Sequence, residues 1–131
     1  MNTKARKVMI IGTGNVGASA AYALLNQNIA EELILVDLNR DRVEGHVQDL
    51  ADAAAYMPGM MTISSCDVTD CADVDIAVIT VSGGPLKPGQ TRLDELQNTA
   101  RNVQHIVPPT LANRFNGNIP IASNPCAITL R

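Results

Sequence analysis

Five short apolar runs punctuate the chain, at residues 7–11, 33–36, 61–64, 76–81 and 119–123, and most of them do not alternate with polar positions. Uninterrupted runs of strand length are expected of β-strands buried on both faces, as in a parallel sheet covered by helices. Between the runs the period lengthens. After Gly17 come Ala18, Ser19, Ala20 and Ala21, small residues that keep a helix thin enough to pack closely on a strand. A second helix is expected from Asn39, a good N-cap, with Val43, Val47, Leu50, Ala51 and Ala54 on one face and Pro58-Gly59 at its end. That stripe reads two ways, packed on its own sheet or turned toward a second copy of the chain. A third helix carries Leu93, Leu96, Ala100, Val103 and Val107, and the pair Pro108-Pro109 is expected to kink or break it near Val107 before Asn116-Gly117 closes it.

Strands alternating with helices imply right-handed crossovers, hence an α/β fold with a doubly wound parallel sheet of order 3-2-1-4-5. Pro120 has no N–H to donate, which suits a strand start or an edge. No sixth run precedes Arg131, so the sheet is expected to be truncated after its fifth strand. A chain of 131 residues is read as one domain, 1–131, able to bury roughly two-thirds of its unfolded surface.

Composition narrows the partners. The net charge is −3, and the only aromatics are Tyr22, Tyr56 and Phe115, which argues against a nucleic-acid surface of basic patches and stacking rings. Cys66, Cys71 and Cys126 form no C-x-x-C pair, so neither a disulfide framework nor a metal site is expected. No apolar stretch reaches the ~18–20 residues of a membrane span, and the amino terminus lacks the apolar region of a signal peptide. A cytoplasmic protein without membrane partners is expected.

The densest chemistry lies between Lys7 and Asp37. A strand runs into Gly12-Thr13-Gly14-Asn15-Val16-Gly17, a helix follows, then a second strand that ends at Asp37, 20 residues after Gly17. Three glycines alone are weak, but their agreement with the flanking elements and the acid points to a dinucleotide-binding unit. Gly12 would turn the chain out of the strand, Gly14 would let the backbone approach a diphosphate, and Gly17 would let the helix sit close to the sheet. The helix would aim free N–H groups and its positive dipole end at the phosphates. Asp37 can accept hydrogen bonds from adenine-ribose hydroxyls and repel a 2′-phosphate, so NAD is favoured over NADP. Arg40 and Arg42 follow closely; they read either as contacts to such a phosphate or as solvated helix charge. A P-loop is excluded, since no Gly-Lys-Ser/Thr follows.

Two further segments belong to the carboxyl ends of strands, where ligands bind in such sheets. The first is the loop after the fourth strand, from Ser82 through Gly83, Pro85, Leu86 and Gly89 to Arg92. Stiffened by proline and hinged by glycine, it can serve as a lid that excludes water and delivers Arg92, or it is a surface connection with a solvated arginine. The second is Ser123-Asn124-Pro125, which would bring the Asn124 amide to the sheet edge or be an ordinary turn.

Taken together, the glycine loop, Asp37, the run Lys87-Pro-Gly-Gln-Thr-Arg-Leu-Asp94 and Ser123-Asn-Pro125 resemble the L-lactate/malate dehydrogenase family over essentially the whole chain, as its N-terminal NAD domain. The resemblance implies a Rossmann fold and hydride transfer between NAD and a small L-2-hydroxy or 2-oxo acid. It places Gly12, Thr13, Gly14, Asn15, Val16, Gly17, Asp37, Arg42, Thr80, Val81, Ser82, Gly83 and Asn124 at the cofactor. It places Leu86, Arg92 and Asn124 at the substrate. Arg92 matches the lid arginine that polarises the substrate carbonyl, the Asn124–Pro125 bond is expected to be cis, and assembly through helices of this domain is implied.

Three positions depart from the family pattern. Leu86 stands where lactate-specific members have glutamine and malate-specific members arginine, and an apolar tip gives a second carboxylate no partner. The lactate type is therefore the closer match. Gln90 replaces a glutamate, and Cys126-Ala127 replaces Val-Asp. The family's proton-transferring histidine, its orienting aspartate and its carboxylate-binding arginine belong to segments beyond Arg131. His46 and His105 are expected inside helices, remote from the site. The isolated chain is thus expected to bind NAD and to be inactive, with a free-standing NAD-binding module, a malate-type enzyme or a broader 2-hydroxy-acid dehydrogenase as alternatives.

Overall fold

The first four apolar runs become strands of one parallel sheet in the computed structural model, which describes residues 6–70, 72–112 and 115–123. In chain order the elements are β1 (Lys7–Ile11), α1 (Asn15–Gln27), β2 (Glu32–Val36), α2 (Arg40–Ala54), β3 (Thr62–Ser65), β4 (Ile76–Ile79) and α3 (Arg92–Ala112). The sheet order is β3-β2-β1-β4. Val8 and Ile10 lie beside Leu33 and Leu35 of β2, and Met9 and Ile11 beside Ala77 and Ile79 of β4.

Successive strand residues point to opposite faces, and here both faces are covered. Val8, Ile10, Leu33 and Leu35 form one core with Ala21 and Leu25 of α1 and Val43 and Leu50 of α2. Met9, Ile11, Ile34, Val36, Ala77 and Ile79 form the other with Val103 of α3 and Phe115. Double burial is why the sequence runs are continuous rather than alternating. The α2 stripe is thereby spent on its own sheet: Val43 and Leu50 are buried and Val47 and Ala54 pack beside them, whereas Ala51 faces outward.

Two expectations need correction, the end of α3 and the continuity of the fifth strand. α3 does not end near Val107 but runs through Pro108 and Pro109 to Ala112. The carbonyls those prolines cannot bond belong to Gln104 and His105, both exposed residues, while the buried Thr110 hydroxyl donates to the Ile106 carbonyl at 2.8 Å. The fifth run does lie along the outer side of β4, but as separate bridges, Ile76 with Asn118 and Ile79 with Ile121. Asn118 and Ala122 donate to the carbonyls of Asp75 and Ile79; between them Pro120 has no N–H for the ladder, so the strand is broken at that rung. The order 3-2-1-4-5 is nevertheless kept. No helix among the described residues is long and apolar enough to cross a membrane.

The orientation of α2 yields a paired test. Leu50→Ala is expected to lower unfolding free energy by about 2–5 kcal/mol, and Ala51→Glu to change it by less than about 0.5 kcal/mol. Urea unfolding of both variants measures this, and equal losses would contradict the placement of the stripe.

Candidate functional site

α1 and α2 cover one face of the sheet and α3 the other, so the connections after β1 and β4 part to opposite sides. The crevice outside the carboxyl ends of those two strands is the switch point of the fold. A cleft of about 800 Å3 opens there. Gly12 and Gly14 after β1, Asp37 and Arg42 after β2, and Thr80, Val81 and Ser82 after β4 all line it.

The glycine loop is built against its neighbours. Gly12 leaves β1 with φ +102 and donates its N–H to the Val36 carbonyl at 2.8 Å; only glycine reaches that backbone region without strain. Its carbonyl turns inward and accepts the Thr80 hydroxyl at 2.6 Å. Gly17, buried in the first turn of α1, presses onto the same place, and a Cβ there would collide with the Gly12 carbonyl oxygen and the Thr80 hydroxyl. Gly14 is the opposite case, because a Cβ on it would meet nothing within 4 Å. Its missing side chain leaves room on the cleft side, where a ligand's diphosphate needs it. α1 has no side-chain cap and no acid in its first turn, and its first internal bond is Ala18 N–H to the Gly14 carbonyl at 2.9 Å. The N–H groups of Asn15 and Val16, whose side chains are exposed, therefore open the helix as an anion-binding end.

Asp37 is held from several sides. Thr13, itself buried beneath the loop, donates both its N–H, at 2.7 Å, and its hydroxyl, at 2.8 Å, to Asp37 Oδ2. Asn39 N–H donates to Oδ1 at 2.9 Å. The half-exposed Arg42 guanidinium stands 4.0 Å from Oδ2, and the carboxylate side chain is only 13% exposed. Burial pushes the carboxyl up, but the bonds from Asn39 and Thr13, with the Arg42 charge, outweigh it and hold the group below its ordinary 3.8.

The loop after β4 is anchored at both ends. Asn102 Nδ2 donates to the Ser82 carbonyl at 3.0 Å and Gly83 N–H to Thr99 Oγ1 at 3.3 Å, which ties the near end to α3. At the far end Lys87 N–H donates to Gln90 Oε1 and Gln90 N–H returns to the Lys87 carbonyl, at 2.9 and 3.0 Å. Asp94 then accepts the Thr91 N–H and hydroxyl at 2.7 and 3.0 Å. The stretch from 82 to 91 is exposed throughout, with Gly84 and Gly89 at positive φ. Leu86 is 44% exposed, and Arg92 is the exposed first residue of α3; neither lines the cleft. Asn124 lies outside the described residues.

Sequence reasoning missed part of the wall. Cys66, Asp67, Val68 and Asp70 close it after β3, a position that the carboxyl-end rule would have flagged. Asn102, His105 and Ile106 close it from α3, at the i, i+3, i+4 spacing that puts residues on one helix face. His105 is therefore not remote, contrary to expectation: the crossover from β4 carries α3 beneath the switch point. Among the described residues no group of His, Cys, Asp and Glu forms a metal cluster.

The Asp37 bonds make a test. A depressed folded value means that its contribution to stability is complete above about 3.9, the unfolded value, and is lost as pH falls through the lower folded one. The stability gap between the native chain and Asp37→Asn, from urea unfolding at several pH values, should be constant above about pH 5 and shrink on acidification. A gap that widens on acidification would contradict the assignment.

Comparison with known proteins agrees with this architecture. The L-lactate dehydrogenase 2 of Listeria monocytogenes serotype 4b (strain F2365) is 66% identical over 125 residues, 95% of this chain and 40% of that protein. An L-lactate dehydrogenase 2 of Lactococcus lactis subsp. lactis is 41% identical over 128 residues, again 40% of its length. Among solved structures, the minor L-lactate dehydrogenase from Enterococcus mundtii in its ligands-bound form superposes with a TM-score of 0.88 at 41% identity, over 92% of this chain and 38% of that one. A lactate dehydrogenase from a Medee basin deep-sea metagenome library gives 0.87 at 39% identity, over 94% and 39%. The chain thus spans about 40% of the length of the curated relatives it matches. Residues 6–131 match the NAD-binding domain of lactate/malate dehydrogenase, and the chain belongs to that family as its NAD-binding domain.

Proposed function

We propose that this domain holds NAD within a longer oxidoreductase that moves a hydride between NAD and a small L-2-hydroxy acid of the lactate type. The observation that carries the reading is the cleft in which Gly12, Gly14, Asp37, Thr80, Val81 and Ser82 converge at the switch point. The residues present fit the cofactor: open space at Gly14, uncapped N–H groups at α1, and a half-buried, ionised carboxylate one loop away. Asn15 and Val16 N–H groups would take the diphosphate and Asp37 the adenine ribose, while Val81, Ser82 and Gly83 would run beside the nicotinamide half. NAD supplies the hydride-accepting carbon, and the protein's share is binding, orientation and electrostatics.

Chemistry at the substrate needs the loop. Arg92, carried at its far end, would swing to the mouth of the cleft and stabilise negative charge on the substrate oxygen, a preorganised interaction worth ~10²–10³ in rate. Asn124 would complete that edge. Leu86 at the loop tip offers an apolar surface to the substrate side chain, which supports a monocarboxylate of the lactate type over malate. Proton transfer falls to residues outside this domain. The reading places the protein in the cytoplasm, with a small acid as its substrate and neither nucleic acid nor membrane as a partner; a homo-oligomer agrees with the family, and the apolar stripe of α2 is not its interface.

Titration with NADH and NADPH, followed by cofactor fluorescence, tests the cofactor site. NADH is expected to bind at least ~10-fold tighter than NADPH, about 1.4 kcal/mol, and Asp37→Ala to abolish the preference. No saturable NADH binding, or equal affinities in the native chain, would sink the reading. In the longer enzyme, Arg92→Gln is expected to reduce kcat with pyruvate by ~10²–10³ while the Kd for NADH stays within about threefold; an unchanged kcat would remove Arg92 from the mechanism.

A further inference from the structure

One polar residue that shapes the cleft does not line it. Thr13 is 1% exposed, sits under the glycine loop, and spends both of its donors on one oxygen of Asp37. We propose that Thr13 is a positioning residue for cofactor selection, fixing the Asp37 carboxylate where an adenine ribose with a free 2′-hydroxyl is accepted and a 2′-phosphate is refused. This rests on the NAD-binding reading above and adds to it how the discriminating carboxylate is kept in place.

The argument is a balance of pulls. Inside, Thr13 grips Oδ2 with two bonds; outside, the half-exposed Arg42 guanidinium stands 4.0 Å from the same oxygen. Both arginines just past Asp37, Arg40 and Arg42, line the cleft. A carboxylate released from Thr13 would be drawn toward Arg42, away from the ribose position and toward the rim where these cations meet a 2′-phosphate. Hydrogen bonds to a charged group are the strong ones, so losing the hydroxyl removes one of the two inward bonds to Oδ2, leaves the Thr13 N–H alone opposite Arg42 on that oxygen, and leaves the Asn39 N–H on Oδ1. The Thr13 N–H has a second consequence. Committed to Asp37, it is withdrawn from the diphosphate, so the loop's anion-binding donors begin at Gly14, and the ribose and diphosphate subsites share one hinge of backbone at residue 13.

The test compares Thr13→Val and Thr13→Ser with the native chain by titration with NADH and NADPH. Thr13→Val is expected to weaken NADH about tenfold and NADPH by less than threefold, so that the NADH/NADPH preference falls about tenfold. Thr13→Ser, which keeps the hydroxyl, is expected to retain both affinities within threefold. A preserved preference in Thr13→Val, or an equal loss for both cofactors as a merely structural role would give, overturns the proposal; so does loss of preference in Thr13→Ser. Thr13→Ala replaces the valine variant, with the same criteria, if the latter does not fold. Failure of the native chain to prefer NADH would instead indict the cofactor reading, and a lost preference in Asp37→Ala with an intact one in Thr13→Val indicts Thr13 alone.

Discussion

The arrangement depends on one crowded contact, the first turn of α1 pressed onto the inward-turned carbonyl of Gly12. Three residues meet there: Gly17 supplies the absence of a side chain, Gly12 the positive φ, and Thr80 the hydroxyl that satisfies the carbonyl at 2.6 Å. A buried carbonyl without a donor would cost on the order of 1–3 kcal/mol, so the loop after β1 is tied to β4, 68 residues later in the chain. The N-cap of the helix, Gly14, lines the crevice between β1 and β4, so the unpaired N–H groups stand beside that crevice at the exposed residues Asn15 and Val16. The anion-binding end of α1 is therefore a product of packing as much as of helix geometry.

A second polar tie completes the crevice. Asp37 closes β2 and Thr13 reaches across to it, so three neighbouring strands, β2, β1 and β4, are joined at their carboxyl ends by hydrogen bonds. Most of the buried apolar residues lie in two cores that sandwich the sheet, and Ile11, Val36, Val43 and Ile106 at their edge also line the crevice. This division of labour follows from topology. Helices α1 and α2 take one face and α3 the other, leaving the strand ends at the switch point uncovered and polar groups free to be used. Burial of the Asp37 carboxyl is tolerated because several donors hold its charged form.

Much of this was legible in the residues. Four strands, the order of the sheet, the glycine loop and the acid at residue 37 all carry local signals: an uninterrupted apolar run, a glycine spacing, a fixed separation. The errors have physical causes too. Pro108-Pro109 reads as a helix stop, yet the helix persists, and the carbonyls deprived of a donor belong to residues on its exposed side. Pro120 breaks a ladder without displacing the chain from the edge of β4, because the rungs on either side still form. His105 gave no sign of nearing the cleft, since a helix face is assigned to a site only once the crossover path is known.

By itself the sequence determined four of the strands and the three helices between and after them, that both faces of the sheet are covered, and that a dinucleotide-type loop precedes an acid at the end of the next strand. Those properties are written in period and spacing, which short stretches of chain carry alone. Only the tertiary structure decided which residues share the cleft: that Thr13 turns under the loop to hold Asp37, that Thr80 holds Gly12, that α3 brings Asn102 and His105 to the wall, and that Leu86 and Arg92 stand outside it. Hydrogen bonds between residues 24 and 68 positions apart leave no periodic trace, because their partners become neighbours only after the sheet has formed.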